Sequence, residues 1–91
     1  MEFKWDEDKR IANVKKHGLD FIDTKRIFDG DTITIEDSRF AYGERRFISF
    51  GVLQGRIIAV VHTENEDTIR IISARKATRN EERSYFAQLT D

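Results

Sequence analysis

Ninety-one residues with 17 acidic and 16 basic side chains give the chain a net charge of −1. This near-neutral balance argues against a protein that coats nucleic acid without selectivity. The sequence contains no cysteine, which excludes disulfides and thiolate zinc sites. It also has no apolar run of membrane-spanning length and no signal-peptide pattern. We therefore expect a single cytoplasmic domain over residues 1–91, with no membrane contact.

Capping signals predict the first helix. Asp6 is a good N-cap, and Gly18 can adopt the left-handed conformation that ends a helix near His17. Ile11 and Val14 are predicted to mark the buried side of this helix. Polar residues are predicted to share a narrow arc on the other side: Lys9, Asn13, Lys16 and His17.

A second, short helix is predicted after Asp20, and the sequence Asp29-Gly30-Asp31 ends it. Phe21, Ile27 and Phe28 are expected to face inward. After this point the apolar pattern changes from helical to extended. Four β-rich segments follow, at residues 32–35, 45–50, 56–62 and 68–73.

Short turns are predicted between the last three strands. Gln54-Gly55 is typical of a tight hairpin turn, and residues 64–67 turn the chain again. These strands should form an antiparallel meander whose middle strand is central. The last strand is expected to break at Ser73-Ala74-Arg75-Lys76, just before a basic helix.

The terminal helix is predicted from Thr78-Arg-Asn-Glu81, which has the spacing of a capping box. It should run to about Leu89, with an apolar stripe of Tyr85, Phe86 and Leu89. Two N-terminal helices, a small antiparallel sheet of about four strands and a C-terminal helix predict an α+β domain.

The most informative feature is a local excess of positive charge near the C-terminus. Only Glu81 and Glu82 oppose it, while a group of six acidic residues lies between Asp20 and Asp37. A concentrated positive field at a strand-to-helix junction suits a polyanion, and RNA is the first candidate. Five cations lie within fourteen residues: Arg70, Arg75, Lys76, Arg79 and Arg83.

Two interpretations of these cations remain open. RNA can be cleaved without a metal when its 2′-OH attacks the adjacent phosphorus, provided that cations stabilise the charged phosphorane. Arg70 and Arg75 are the candidates for a phosphate clamp, because guanidinium grips two phosphate oxygens. Alternatively, Arg70 faces solvent, while Arg79 and Arg83 pair with glutamates on the helix. Exposed pairs of that kind contribute less than about 1 kcal/mol, so they hardly explain the clustering.

His17 and His62 are the two side chains that ordinarily titrate near neutral pH. His62 ends an extended run near Arg75, so it is a candidate acid or base. His17 ends a helix, where a structural role is equally consistent. Two histidines on separate elements do not make a metal site. We therefore expect neither a metal nor another cofactor.

Three motifs carry a resemblance to a known family. Lys16-His17-Gly18, Glu44-Arg45-Arg46-Phe47 and Arg70-Ile-Ile-Ser-Ala-Arg-Lys-Ala77 occur in an order that resembles the BrnT family. These are toxins of type II toxin–antitoxin modules, and the likeness covers nearly the whole chain. It implies a RelE-like fold and a bacterial or archaeal ribonuclease that inhibits translation, with RNA, either free or on the ribosome, as its substrate. It also implies a BrnA-like antitoxin with a ribbon-helix-helix domain, through which operator DNA is contacted.

The resemblance adds Glu44 and Tyr85 as candidates for proton transfer. Cross-strand pairing of Glu44 with an arginine, and a core position for Tyr85, are the structural alternatives. Lys76, Arg79 and Arg83 are expected to follow the RNA backbone, and Lys16 and His17 are expected to contact RNA or the antitoxin.

Two other functions remain open. One is a non-catalytic basic module that binds a protein partner within a repressor complex. The other is a direct DNA binder, which is weaker because the sequence has no helix-turn-helix signature.

Overall fold

The computed structural model describes residues 1–39, 41 and 43–90, and it has an α+β architecture around one five-stranded sheet. The strand order is β1-β5-β4-β3-β2, with β1 parallel to β5 and every other pair antiparallel. A 3₁₀ helix (Lys25–Asp29) directly follows α2. The elements are β1 (Glu2–Trp5), α1 (Glu7–His17), α2 (Phe21–Thr24), β2 (Ile33–Asp37), β3 (Arg46–Leu53), β4 (Arg56–Asn65), β5 (Thr68–Lys76) and α3 (Arg79–Thr90).

The predicted ends of α1 are confirmed. The Asp6 side chain accepts a hydrogen bond from the Lys9 backbone N–H at 3.1 Å, and Gly18 caps the other end with a φ of 70°. The predicted buried side is wrong: Ile11 and Val14 are 43% and 39% exposed.

Asn13 instead faces the protein interior from α1. Its Oδ1 accepts the Ala74 backbone N–H at 3.0 Å, and its Nδ2 donates to the Leu19 carbonyl at 2.8 Å. Because β1 pairs with β5 only as far as Ile71, the edge of β5 beyond that point needs another partner. The amide of Asn13 supplies it, so this polar side chain is buried without leaving its donors and acceptors unpaired.

The side chains predicted to face inward from the second helix do so. Phe21 and Ile27 are fully buried, and Phe28 packs against the same cluster. The ring of Trp5 meets that of Phe21 edge-on, with centroids 6.1 Å apart. Gly51 allows the 3₁₀ helix to approach β3, because a Cβ there would lie 2.7 Å from the Cβ of Ile27.

The sheet differs from the prediction in three details. The meander of β3, β4 and β5 is confirmed, as is the turn at Gln54-Gly55, whose φ angles are 51° and 79°. The sheet has five strands rather than four and is mixed, because β1 was missed. The expected break at Ser73 is also wrong: β5 continues to Lys76, and a bulge at Ile72 shifts its register against β4.

The capping box of α3 is confirmed by two reciprocal hydrogen bonds. The Thr78 N–H donates to Glu81 Oε1 at 2.8 Å, and the Glu81 N–H donates to Thr78 Oγ1 at 3.2 Å. The predicted stripe is only partly correct, because Tyr85 is buried whereas Phe86 and Leu89 are 53% and 45% exposed. No described helix is long and apolar enough to cross a membrane.

The two faces of the sheet are covered unequally. Helices α1 and α2 and the 3₁₀ helix pack on the side that carries Ile58 and Val60. Tyr85 of α3 packs on the other side, against the cluster of Ile48, Phe50, Ala59 and Val61. We call this second side the open face.

Candidate functional site

Arg70 and Arg75 both lie on the open face. Arg75 is paired in register with Ala59, whose side chain belongs to the cluster on that face. Arg70 is paired with Thr63, which lies two residues after Val61 on β4 and therefore on the same side. The bulge at Ile72 makes this possible, because residues 70 and 75 of a regular strand would point to opposite faces.

Two further arginines, which the sequence analysis missed, join this face. Arg46 pairs in register with Asp37 and lies two residues before Ile48, so its side chain also points to the open face. Arg39 follows β2 and binds the carboxylate of Asp37 with hydrogen bonds of 2.8 and 3.0 Å. In the sequence, the spacing of two residues between Arg46 and Ile48 indicates that they share a face of the strand. No sequence pattern indicates the position of Arg39.

A carboxylate holds each of the two predicted clamp residues. Arg70 Nη2 donates to both oxygens of Glu44, at 2.7 and 2.8 Å, and Arg46 Nη2 lies 3.6 Å from the same carboxylate. Arg75 binds both oxygens of Glu81, at 2.8 and 3.0 Å. The pairing of Glu44 with neighbouring arginines is therefore confirmed as its structural role. These paired hydrogen bonds hold each of the two guanidinium groups in a defined position.

The electrostatics of Arg75 reflect this arrangement. Its hydrogen bond to Glu81 raises the pKa of Arg75, while burial and the nearby charge of Arg39 partly lower it. The same hydrogen bond lowers the pKa of Glu81, against the opposing effect of burial.

Tyr85 contributes to the floor beside this face. Only 3% of it is exposed, and its hydroxyl donates a 2.7 Å hydrogen bond to the carbonyl of Asp31. Burial raises the pKa of Tyr85, and the charge of Asp31 acts in the same direction. The structural alternative for this residue is therefore confirmed: it joins α3 to the start of β2.

His62 is not beside Arg75, and its expected position was wrong. It lies in the middle of β4 on the helix-covered face, fully buried, with its ring edge-on to Phe28 at 5.2 Å and stacked on Phe47 at 6.0 Å. Its Nε2 shares a 2.7 Å hydrogen bond with Ser49 Oγ, and its Nδ1 lies 3.7 Å from Glu64 Oε1. RNA has no access to this imidazole, so we do not include it in the site.

The buried His62 makes stability depend on pH. Burial lowers its pKa below the usual 6.5, and the charge of Glu64 offsets this only partly. Below about pH 6.5 the unfolded chain binds a proton that the folded chain excludes. The free energy of unfolding should therefore fall as the pH drops from 7.5 to 5.5. In His62→Gln, urea titrations should show a weaker fall over this range; an unchanged slope would contradict the assignment.

Lys76, Arg79 and Arg83 are not joined to the open-face arginines in one pocket. Lys76 pairs in register with Ile58, so it projects from the helix-covered side at the end of β5. Arg79 and Arg83 line a shallow groove on α3 with Glu82 and Phe86. Within residues 1–39, 41 and 43–90, none of these three cations forms an ion pair. The structure therefore does not support the alternative that Arg79 and Arg83 pair with glutamates on the helix.

Lys16 and His17 lie on α1, on the side of the helix that faces β5. They line a groove with Lys9, Ile72 and Ser73. The structure therefore separates the predicted residues into a central pair on the open face and flanking cations on α1, α3 and the end of β5.

A comparison with curated protein sequences finds no match. A comparison with family models matches residues 5–81 to the model described as the ribonuclease toxin, BrnT, of type II toxin–antitoxin systems. The match includes the three motifs that suggested this resemblance, as well as Arg39, Arg46, Arg70 and Arg75. Toxins of this type act with an antitoxin partner. The chain therefore belongs to the BrnT family of ribonuclease toxins.

Proposed function

We propose that the open face is the ribonuclease site and that it cleaves RNA without a metal ion. The observation that carries this proposal is the placement of four arginines on one side of the sheet: Arg46 on β3, Arg70 and Arg75 on β5, and Arg39 just after β2. Guanidinium groups remain protonated and bind phosphate through paired hydrogen bonds. A surface of this kind can stabilise the additional negative charge of a phosphorane.

In the free protein, each of these arginines is paired with a carboxylate. The side chain of Arg70 is 42% exposed and that of its partner Glu44 is 39% exposed, so water screens this ion pair. Exposed ion pairs contribute less than about 1 kcal/mol. An incoming phosphate can therefore replace a carboxylate as the guanidinium partner at small cost, while the carboxylate keeps the empty site ordered.

Glu44 has a second role in the proposed reaction. Once phosphate engages Arg70 and Arg75, the freed carboxylate of Glu44 accepts the proton of the 2′-OH, whose oxygen attacks the adjacent phosphorus. The P–O5′ bond then breaks, and the leaving 5′-oxygen takes a proton from solvent. The products are a 2′,3′-cyclic phosphate and a 5′-hydroxyl. Tyr85 supports the floor of the site and takes no part in proton transfer.

The remaining cations extend the site along the RNA. Lys76, Arg79 and Arg83 hold flanking phosphates, and their affinity is sensitive to salt. Cleavage of RNA inhibits translation, and a BrnA-like antitoxin neutralises the toxin. The antitoxin's ribbon-helix-helix domain supplies the contact with operator DNA, since the toxin itself has a negative net charge of −1.

The test is incubation of the purified protein with end-labelled RNA in the presence of EDTA. Discrete products that end in 2′,3′-cyclic phosphate are expected, and a 2′-deoxy substitution at the cleaved nucleotide should block the reaction. Tight binding of the antitoxin without any RNA cleavage would instead favour the non-catalytic module.

A further inference from the structure

A second basic groove lies between α1 and β5, and we call it the α1 groove. It is lined by Lys9, Ala12, Asn13, Lys16, His17, Ile72 and Ser73. The residues from α1 follow one stripe of the helix, because their spacing of three or four residues places them on the same side. Buried Asn13 is in the middle of this stripe and bonds to the backbone of Ala74. That bond holds this side of α1 against the edge of β5.

The charge of the α1 groove distinguishes it from two other basic grooves, one beside Arg70 and one on α3. The groove beside Arg70 contains Glu44 and Glu64, and the groove on α3 contains Glu82. No acidic residue lines the α1 groove. Lys9 and Lys16 also form no ion pair with any of the residues described. Their positive charge is therefore available for an external anion.

The α1 groove and two of the open-face arginines share strand β5. Ile72 lines the groove and also packs against the apolar cluster of the open face. Ser73 lines the groove two residues before Arg75 on the same strand. Because of the bulge at Ile72, the edge of β5 therefore borders both basic surfaces.

We propose that the α1 groove is a second binding site for the RNA backbone, which rests on the open face being the RNA site. The substrate is then an RNA strand that crosses the edge of β5 and continues along α1. Lys9 and Lys16 are seven residues apart, or about 10 Å along the helix axis. They bind two successive phosphates of the continuing strand. Affinity for RNA therefore increases with strand length until the α1 groove is filled.

The experiment measures binding of single-stranded 2′-O-methyl RNA, which lacks the attacking hydroxyl, as a function of length and salt. Lys9→Gln/Lys16→Gln is compared with Lys15→Gln/Arg26→Gln, which has the same net charge but changes exposed residues outside the α1 groove. For long RNA, the slope of log affinity against log salt should be about 1.4 smaller in magnitude in the first variant, because two phosphate contacts are lost at about 0.7 each. The control variant should retain the slope of the wild type.

The outcomes are distinguishable from failure of the proposed function, because an uncleavable RNA reports binding alone. Affinity that does not depend on length, or an equal loss in both variants, would overturn the second site. Unchanged RNA binding with weakened antitoxin binding in Lys9→Gln/Lys16→Gln would assign the α1 groove to the protein partner and would also overturn it. Similar thermal unfolding of all three proteins is the check that the fold is intact.

Discussion

Replacing Arg75 with alanine is expected to reduce the rate of RNA cleavage by about two to three orders of magnitude. Arg75 is held on the open face by two hydrogen bonds to Glu81. Its loss removes a preorganised double hydrogen-bond donor from the charged phosphorane, and removal of one such donor typically has an effect of about this size. The measurement is the single-turnover rate with labelled RNA, together with growth arrest in cells.

Two companion variants make this result specific. Arg75→Lys keeps the charge but loses the planar fork, so it should recover only part of the lost rate. Arg56→Ala removes an exposed arginine near the turn between β3 and β4, outside the open face, and should cleave as the wild type does. Full toxicity in Arg75→Ala, at equal protein levels, would remove this residue from the mechanism.

Glu44→Gln is expected to reduce cleavage by about 10²- to 10⁴-fold, the usual contribution of a general base. RNA binding should not weaken, because the substitution removes a negative charge that competes with phosphate for Arg70. This separation of rate from affinity differs from the effect expected for Arg75→Ala, where both should decline.

The matched control for Glu44→Gln is Glu36→Gln. Glu36 also accepts two hydrogen bonds from an arginine, Arg45, but it lies on the solvent-exposed edge strand β2. Single-turnover reactions at several protein concentrations separate the dissociation constant from the rate of the chemical step. A Glu44→Gln protein with the cleavage rate of the wild type would show that the carboxylate only positions Arg70.

The parts of the fold that were predicted correctly depend on local interactions. Asp6 and Gly18 define the ends of α1 through contacts within a few residues, and the reciprocal bonds of Thr78 and Glu81 start α3 in the same way. The Gln54-Gly55 turn likewise requires only its own backbone conformation. Such features can be predicted from a single sequence because their partners are adjacent in it.

The errors arose where distant segments decide the result. Asn13 is buried because Ala74, 61 residues later, offers an unpaired N–H. Strand β1 forms because β5 provides a parallel edge, which four residues of sequence could not reveal. His62 is buried because Phe28 and Phe47 come from two other elements to enclose it.

The candidate site shows the same division. Arg70 and Arg75 were predicted from local charge density, but their common face depends on the bulge at Ile72. Arg39 and Arg46 belong to this face only through the pairing of β2 with β3. The clustered charge in the sequence therefore identified only two of the four open-face arginines.

The central claim is that RNA phosphate binds to the open face, and side-chain nuclear magnetic resonance tests it directly. The Nε–Hε signals of assigned arginines are followed while uncleavable 2′-O-methyl RNA is added. We expect the signals of Arg39, Arg46, Arg70 and Arg75 to shift together, with those of Arg26 and Arg56 unchanged. Saturable RNA binding that leaves the signals of the four open-face arginines unmoved would contradict the account.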